Sequence, residues 1–196
     1  MAQKMLVGDK DTVLLIPAFD LNGVPNMAYP TTPTPVPIDD PTVALLNYYI
    51  GVTSPDDAGA HWGGNVTCSV VDDWNVALTD SATSDIRTLC SVGNSSELTF
   101  YNFDAVMNFL RDIDPSDDTS EFNLPLNLLA APDVPYIIAH RIGYSSTTAA
   151  AIGQEWHFYY VWTDLAVPAT GDGDYQQVGE TFVQKGLINF KYELEA

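Results

Sequence analysis

Apolar and polar residues alternate along much of the chain, which is the pattern of strands that bury one face. The alternation is clearest in the last third, in residues 135–143 (PYIIAHRIG) and 186–195 (GLINFKYELE). Residues 12–19 (TVLLIPAF) and 65–71 (NVTCSVV) show a similar pattern in the first half. Turns that contain glycine, proline or asparagine separate these segments, so the pattern predicts about eight to ten strands.

One segment follows a different period. Its apolar residues recur at the spacing of a single helical stripe, at Phe103, Val106, Met107 and Leu110. The side chain of Asn102 can accept a hydrogen bond from the first turn, which makes this residue a suitable N-cap. The pattern therefore predicts one α-helix over about residues 103–112, with those four residues as its packing face.

Residues 155–164 (EWHFYYVWTD) are aromatic on both faces of the predicted strand. A strand of this kind is covered on both sides, either by a second sheet plus the helix or by a neighbouring subunit. Residues 43–52 (VALLNYYIGV) fit a buried strand or a short helix, and their tyrosines and isoleucine favour the strand. The whole pattern predicts a single, mainly β domain over residues 1–196, sandwich or barrel-like, with one flanking helix.

Residues 22–41 contain six prolines. Such a segment cannot form a regular hydrogen-bond ladder and favours extended geometry, so we expect a long loop that leaves the body of the domain. Loops of this length are uncommon unless they bind something, although a surface insertion without function is the alternative. Residues 1–11 form the predicted N-terminal arm.

Charge is the most unusual bulk property, because 26 acidic residues face 7 basic ones and the formal net charge is −19. A surface with so few cations releases almost no counterions from DNA and repels it. No window is long and apolar enough for a membrane helix. Residues 1–12 (MAQKMLVGDKDT) lack the apolar run of a signal peptide, so we expect a mature, cytoplasmic start and no membrane partner.

A search for catalytic and metal-binding motifs yields little. The three histidines, His61, His140 and His157, are expected to be structural, and the isolated Cys68 and Cys90 to be buried in the core. The segment GDGDYQQVGE begins like a calcium loop but has Gln177 where glycine is required and Val183 where glutamate is required. Adjacent aspartates in turns are usually solvated. We therefore predict no catalytic residues, no metal, no cofactor and no enzymatic activity.

Several blocks of the chain are similar in order and character to the major tail protein, or tail tube protein, of siphovirus-type bacteriophages. These blocks are CSVVDDW, IRTLCSVGNSSELTFYNFDAVMNFLRD, AHRIGYSS and GQEWHFYYVWTDL, and the resemblance extends over about residues 64–194. The resemblance implies a β-sandwich flanked by one helix. It also implies that six copies close into a ring by joining sheets edge to edge, and that rings stack into a tube that conducts double-stranded DNA during ejection.

The resemblance gives several features of the chain a role. An acidic bore would keep DNA from adhering, although the sequence does not identify the lumen acids. The predicted helix would cover the outer side of the sandwich. The N-terminal arm and the proline-rich loop are the candidates for contacts between rings, the loop through Val24, Pro25, Tyr29, Pro30, Pro33, Pro35 and Pro37. Tape measure and terminator proteins would be further partners, in a virion tail assembled in the host cytoplasm.

Two other functions fit the sequence. A carbohydrate-binding or adhesive β-sandwich would use Trp62, Trp74, Trp156 and Trp162 as stacking platforms. A tail terminator or completion protein of related fold would form a single ring and not a stack. Image analysis or sizing of the purified protein separates the three.

Overall fold

The computed structural model describes residues 10–18, 41–58, 63–71, 74–79, 82–86, 95–100, 102–170 and 176–195. The chain is mainly β, as predicted. The strands within the described residues are β1 (Asp11–Pro17), β2 (Gly64–Asn65), β3 (Asn75–Leu78), β4 (Ala82–Ile86), β5 (Ser95–Phe100), β6 (Phe103–Leu110), β7 (Pro135–Ile142), β8 (Glu155–Trp162), β9 (Val167–Thr170), β10 (Gln176–Thr181) and β11 (Val183–Glu193). The helices there are α1 (Val43–Ile50), α2 (Pro55–Ala58) and α3 (Leu124–Leu128), and a 3₁₀ turn (Glu121–Asn123) precedes α3.

The strands form two main antiparallel sheets and a separate β4–β5 hairpin. The five-stranded sheet has the order β11-β8-β7-β1-β2, and the four-stranded sheet has the order β3-β6-β10-β9. Apolar β7 lies between β8 and β1, where both of its edges are paired. Gly64 is required in β2, because a Cβ at this position would lie 2.7 Å from the backbone oxygen of Val52.

The two sheets share one hydrophobic cluster. The four-stranded sheet contributes the inward-facing residues of β6, and the five-stranded sheet contributes alternate residues of β1, β7 and β8. Members that are at most 2% exposed include Val13, Leu15, Phe103, Met107, Phe109, Tyr136, Ile138, Tyr159 and Val161. Burial of this apolar surface by both sheets provides the main force that holds them together.

A second cluster lies on the opposite face of the five-stranded sheet, where α1 covers it. Leu46, Tyr49 and Ile50 of α1 pack there with Trp156 and Phe158 of β8. Thr42 caps the helix by accepting a hydrogen bond from the Leu45 amide at 3.3 Å, and the helix ends before Gly51. The prediction that β8 is covered on both faces is thereby confirmed.

The prediction of a helix over residues 103–112 is wrong. Residues 103–110 form β6, whose side chains are alternately buried and exposed. Phe103 and Met107 are buried as predicted, but Val106 faces outward and Leu110 is only partly buried. The helical spacing of Phe103, Val106, Met107 and Leu110 is present, but the same segment also contains an alternating series. This series, Phe103, Ala105, Met107 and Phe109, is the one that faces inward. Pairing of β6 with β3 and β10 on its two sides satisfies its backbone as a strand.

Three further predictions are corrected. Residues 43–50 form a helix and not the favoured strand, because the Thr42 cap and the i, i+3, i+4 spacing of Leu46, Tyr49 and Ile50 place one apolar face on the sheet. Residues 67–69 form a turn where a half-buried strand was predicted. Cys68 lies in that turn and is exposed, so it is not a core residue.

Several predictions fall on residues outside the described part of the chain. These are the N-terminal arm up to residue 9, almost all of the proline-rich loop, His61, Trp62, Cys90 and the first half of the segment GDGDYQQVGE, residues 171–175. Asp11, the predicted end of the arm, is the first residue of β1. Within the described residues, no helix has the length and hydropathy needed to cross a membrane.

Candidate assembly surfaces

The four-stranded sheet ends on both sides in a short strand without charged residues. One edge strand is β3, with the sequence NVAL, and the other is β9, with the sequence VPAT. Leu78 on β3 is 44% exposed, and Val167 on β9 is 60% exposed. An edge that carries neither charges nor a covering element within the described residues can pair with another chain.

The long edge of the five-stranded sheet is different. Strand β11 carries Lys185, Lys191 and Glu193, and its pairing with β8 shifts register twice. Lys191 has a φ of 60°, which marks the irregular backbone at the second shift. Charges and bulges are the features by which sheet edges resist pairing with other chains. This edge is therefore protected by charges and bulges. In the four-stranded sheet, β3 has none of these features, and β9 has only Pro168, which removes one backbone donor.

The outer face of the four-stranded sheet lies opposite the shared cluster and is almost free of charge. Register identifies the side chains that point outward from it, since residues directly opposite each other in antiparallel strands share a face. They are Asn75, Ala77, Asp104, Val106, Asn108, Leu110, Val167, Gln177 and Thr181, with Gly179 between them. Asp104 is the one charged residue in this described set. The face contains no lysine or arginine among those residues.

A shallow depression of about 290 Å³ lies at one end of this face. Outward-facing residues of β6 and β10 form its floor, and residues 164–168 form one wall. This wall includes Leu165 and Val167, which are 67% and 60% exposed. The wall consists of the linker between β8 in one sheet and β9 in the other, together with the first two residues of β9.

Glu180 is an ionisable residue at a core-facing position of β10. It lies opposite Met107 of β6 and is only 1% exposed. One carboxyl oxygen, Oε1, accepts a hydrogen bond of 2.7 Å from the Asp164 amide, while Oε2 has no partner. Burial raises the pKa of Glu180 to about 7, and the charge of Asp164 adds to the effect. Sequence analysis did not single this residue out, although a glutamate among inward-facing residues of a strand was visible in the pattern.

His140 and His157 lie opposite each other on β7 and β8. The ring of His140 packs edge-on against Trp74 at 4.7 Å between centroids, and that of His157 packs on Phe190 at 4.5 Å. Burial, assisted by His157, lowers the pKa of His140 to about 4, so this imidazole is neutral at physiological pH. The Nε2 atom of His140 lies 3.7 Å from Oδ1 of Asp11, and neither of these two atoms has a hydrogen-bond partner.

Arg141 is fully buried on the α1 side of the five-stranded sheet. Its guanidinium donates to the carbonyl oxygens of Ser145, Thr148 and Ala149 and to the side chains of Thr12 and Gln154. It also lies 4.7 Å from the centre of the Trp156 ring. These contacts hold the β7–β8 connection, residues 143–154, against the sheet.

The described tryptophans do not form an open stacking platform. Trp156 is completely buried, Trp74 packs on His140, and the ring of Trp162 is covered by the Lys185 ammonium group at 4.2 Å. A sugar ring needs an exposed aromatic face, so these positions do not favour carbohydrate binding.

The acidic loop after β6 satisfies its own polar groups. Asp114 and Asp117 each accept hydrogen bonds from the amide and hydroxyl two residues later. Asp112 accepts from Ser120, and this bond, with backbone bonds, lowers its pKa. In the part of the chain that the structure describes, no three His, Cys, Asp or Glu side chains converge to hold a metal ion.

The predicted site residues are thus only partly placed. The residues predicted as the face of a helix belong to β6, which brings Phe103 and Met107 into the shared cluster and places Val106 and Leu110 on the outer face. The candidate inter-ring residues of the proline-rich loop, between Val24 and Pro37, lie outside the described residues. The uncharged edges β3 and β9 were missed, and their signal was the absence of charge from NVAL and VPAT in a strongly acidic chain.

Comparison with known proteins gives one match. A family model described as phage tail tube protein matches residues 26–194, which is most of the chain and includes α1 and every strand except β1. No curated protein matches the chain.

Proposed function

The chain belongs to the phage tail tube protein family, and from this premise we propose that it forms hexameric rings that stack into the tail tube of a siphovirus-type phage. Family membership makes the protein a structural component of the virion tail. In the proposal, the four-stranded sheet joins copies into the ring, and its outer face lines a bore through which double-stranded DNA leaves the virion.

The edges of the four-stranded sheet, which are uncharged and pair with no other strand among the described residues, carry this proposal. Because the sheet has four antiparallel strands, β3 and β9 run in opposite directions. Copies related by rotation would therefore place β9 of one beside β3 of the next as an antiparallel pair, and the sheet would continue around the ring. The five-stranded sheet is unsuited to this role, since β11 is protected and β2 has only two residues.

The outer face of the four-stranded sheet supports its position at the bore. The outer face of the five-stranded sheet is covered by α1 and is not available for this purpose. A bore wall must not hold the DNA that passes, and the described outward-facing residues of the four-stranded sheet offer no cation to bind a phosphate. The net charge of −19 per copy would add long-range repulsion.

The proposal includes the other partners suggested by the resemblance. The N-terminal arm and the proline-rich loop, residues 1–11 and 22–41, would contact the next ring. Proline lowers the entropy lost when such a segment is ordered on binding. Tape measure and terminator proteins would bind the tube, and assembly would take place in the host cytoplasm.

A matched pair of lysine variants tests the role of the edges. Leu78 on β3 and Val183 on β11 are both 44% exposed, so each substitution changes a similar surface. We expect Leu78→Lys to abolish rings in negative-stain images, because it places a charge in every joint, whereas Val183→Lys should leave rings intact. Both variants should unfold at the temperature of the wild-type protein within about 4 °C, since surface changes usually alter stability by less than ~0.5 kcal/mol.

The images also distinguish the proposal from its alternatives. Rings from Leu78→Lys together with none from Val183→Lys would mean that the five-stranded sheet forms the joint. A wild-type protein that forms single rings and never stacks would favour a terminator. Deletion of residues 22–41 should give rings without long tubes, and long tubes from that variant would remove the loop from the inter-ring contact.

A further inference from the structure

Glu180 lies at the base of the linker that leads to β9. The linker is anchored at two adjacent residues. Thr163 exchanges backbone hydrogen bonds with Asp133 and Val134, and the amide of Asp164 donates to Glu180. After this second anchor the chain is exposed at Asp164 and Leu165 and then pairs with β10 as the edge strand β9.

We propose that protonation of Glu180 stabilises the closed arrangement, in which the linker is hydrogen-bonded to Glu180 and β9 is paired with β10. Joining of copies at the β9 edge is then favoured by mild acid and weakened by mild base. The link to assembly rests on the proposed function. The effect on the linker within one copy does not.

The surroundings of Glu180 favour its neutral form. The opposite residue on β6 is the apolar Met107, and the ionisable group that acts on Glu180 from the linker is Asp164, which is negative. No described salt bridge supplies a cation to Glu180. The unpartnered Oε2 atom can carry a proton, and Oε1 can still accept the Asp164 amide. The ionised form instead leaves a charged oxygen buried without a donor, which is costly.

Linkage gives the direction and the size of the effect. Burial raises the pKa of Glu180 from 4.5 to about 7 in the closed arrangement. In any opened arrangement that releases the linker and hydrates the carboxyl group, the pKa returns toward 4.5. Between these two pH values the closed form binds a proton that the opened form has lost. Opening therefore becomes more favourable as pH rises through this window, by up to about 300-fold, and then levels off above pH 7.

Hydrogen exchange of the isolated subunit tests this inference without any assembly. The measurement is the protection of the backbone amides of residues 164–167, 169 and 170, corrected for the intrinsic pH dependence of exchange, between pH 5 and pH 8. In the wild-type protein we expect protection to fall at least tenfold over this range. In Glu180→Gln, which is neutral at every pH and keeps an oxygen for the Asp164 amide, protection should not depend on pH.

The matched control is Glu193→Gln, which removes one charge from an exposed position at the end of β11. This variant should behave like the wild-type protein. A further variant, Asp164→Asn, removes the facing charge and should move the fall in protection to lower pH. The inference is overturned if Glu180→Gln keeps the wild-type dependence on pH, or if Glu193→Gln loses it.

The consequence for assembly is measured separately by sedimentation at pH 6 and pH 8. Wild-type protein and Glu193→Gln should assemble at a lower concentration at pH 6 than at pH 8, by a larger factor than Glu180→Gln. If exchange shows the predicted coupling but no rings form at either pH, the proposed function fails while the switch within the subunit stands. Rings whose formation is equally pH-dependent in all three proteins would contradict control of assembly by Glu180.

Discussion

The two sheets of this protein share one core but differ in how the rest of their surface is used. The five-stranded sheet is covered on its outer face by α1, and its long edge β11 is charged and irregular. In the four-stranded sheet, no described element covers the outer face, and both edge strands lack charge. One sheet therefore supplies most of the buried surface, and the other offers the surfaces suited to contacts with further copies.

This difference shows that the charged residues are not distributed evenly over the edges and faces of the two sheets. A chain with a net charge of −19 repels its own copies, so any stable contact between them must use surfaces from which charge is excluded. The edges β3 and β9 meet this condition. The edge β11 does not meet it, because it carries Lys185, Lys191 and Glu193.

The largest effect on stability is expected from the covered face. Trp156→Ala removes a fully buried ring from the cluster beneath α1 and should lower the free energy of unfolding by about 3–5 kcal/mol. The matched change on the open face is Val106→Ala, at a residue that is 38% exposed, and should cost less than about 1 kcal/mol. Urea denaturation measures both values. Equal losses would show that the two faces do not differ in burial as described.

A smaller effect is expected from a buried cation. Arg141→Met leaves the carbonyl oxygens of Ser145, Thr148 and Ala149 without their donor and should cost about 2–4 kcal/mol. Lys185→Met is the control, because Lys185 also lies over a tryptophan ring but is exposed, and should cost less than about 1 kcal/mol. Increased hydrogen exchange of residues 143–154 should accompany only the Arg141 change. A stable Arg141→Met protein with wild-type exchange would contradict this role.

Each sheet also contains a buried ionisable group, and the two groups act in opposite directions. His140 in the five-stranded sheet has a pKa lowered from 6.5 to about 4, so the unfolded chain binds the proton first and stability rises with pH through this window. Glu180 in the four-stranded sheet has a pKa raised from 4.5 to about 7, so stability falls as pH rises. Each contribution is on the order of 3 kcal/mol, and in the wild-type protein they partly cancel.

Single substitutions should separate these contributions. Between pH 4.5 and pH 6.5, the free energy of unfolding of Glu180→Gln should rise with pH more steeply than that of the wild-type protein. His140→Phe, which keeps a ring against Trp74, should change in the opposite direction. Urea titrations at several pH values measure both slopes. Parallel curves for all three proteins would mean that neither group titrates as its burial implies.

Sequence patterns predicted the strands of the last third well, because β7 and β8 are long and their composition leaves few alternatives. Sequence patterns failed where a helical period and a strand period both fitted the same residues. In residues 103–110 the helical stripe and the alternating series are both present, and only pairing with β3 and β10 decides between them. In residues 43–50 the tyrosines favoured a strand, but the Thr42 cap and packing on the sheet favoured a helix.

The candidate surfaces were less predictable than the fold. An uncharged tetrapeptide such as NVAL becomes a candidate surface only when it is known to form the edge of a sheet. The outward-facing set likewise depends on registers between strands that are distant in sequence. The buried carboxyl group of Glu180 was visible as a letter in the pattern, but its missing partner could be recognised only from the packed structure.

The most direct test of the central claim is a disulfide cross-link between the two open edges. With Cys68 and Cys90 replaced by serine, Ala77→Cys and Val167→Cys are combined in one chain, since both residues point to the outer face from opposite edges of the same sheet. After oxidation, denaturing gel electrophoresis should show a ladder that ends at six copies. A protein that stays monomeric, or that cross-links only when the cysteines are placed on β11, would contradict the claim that β3 and β9 form the joint.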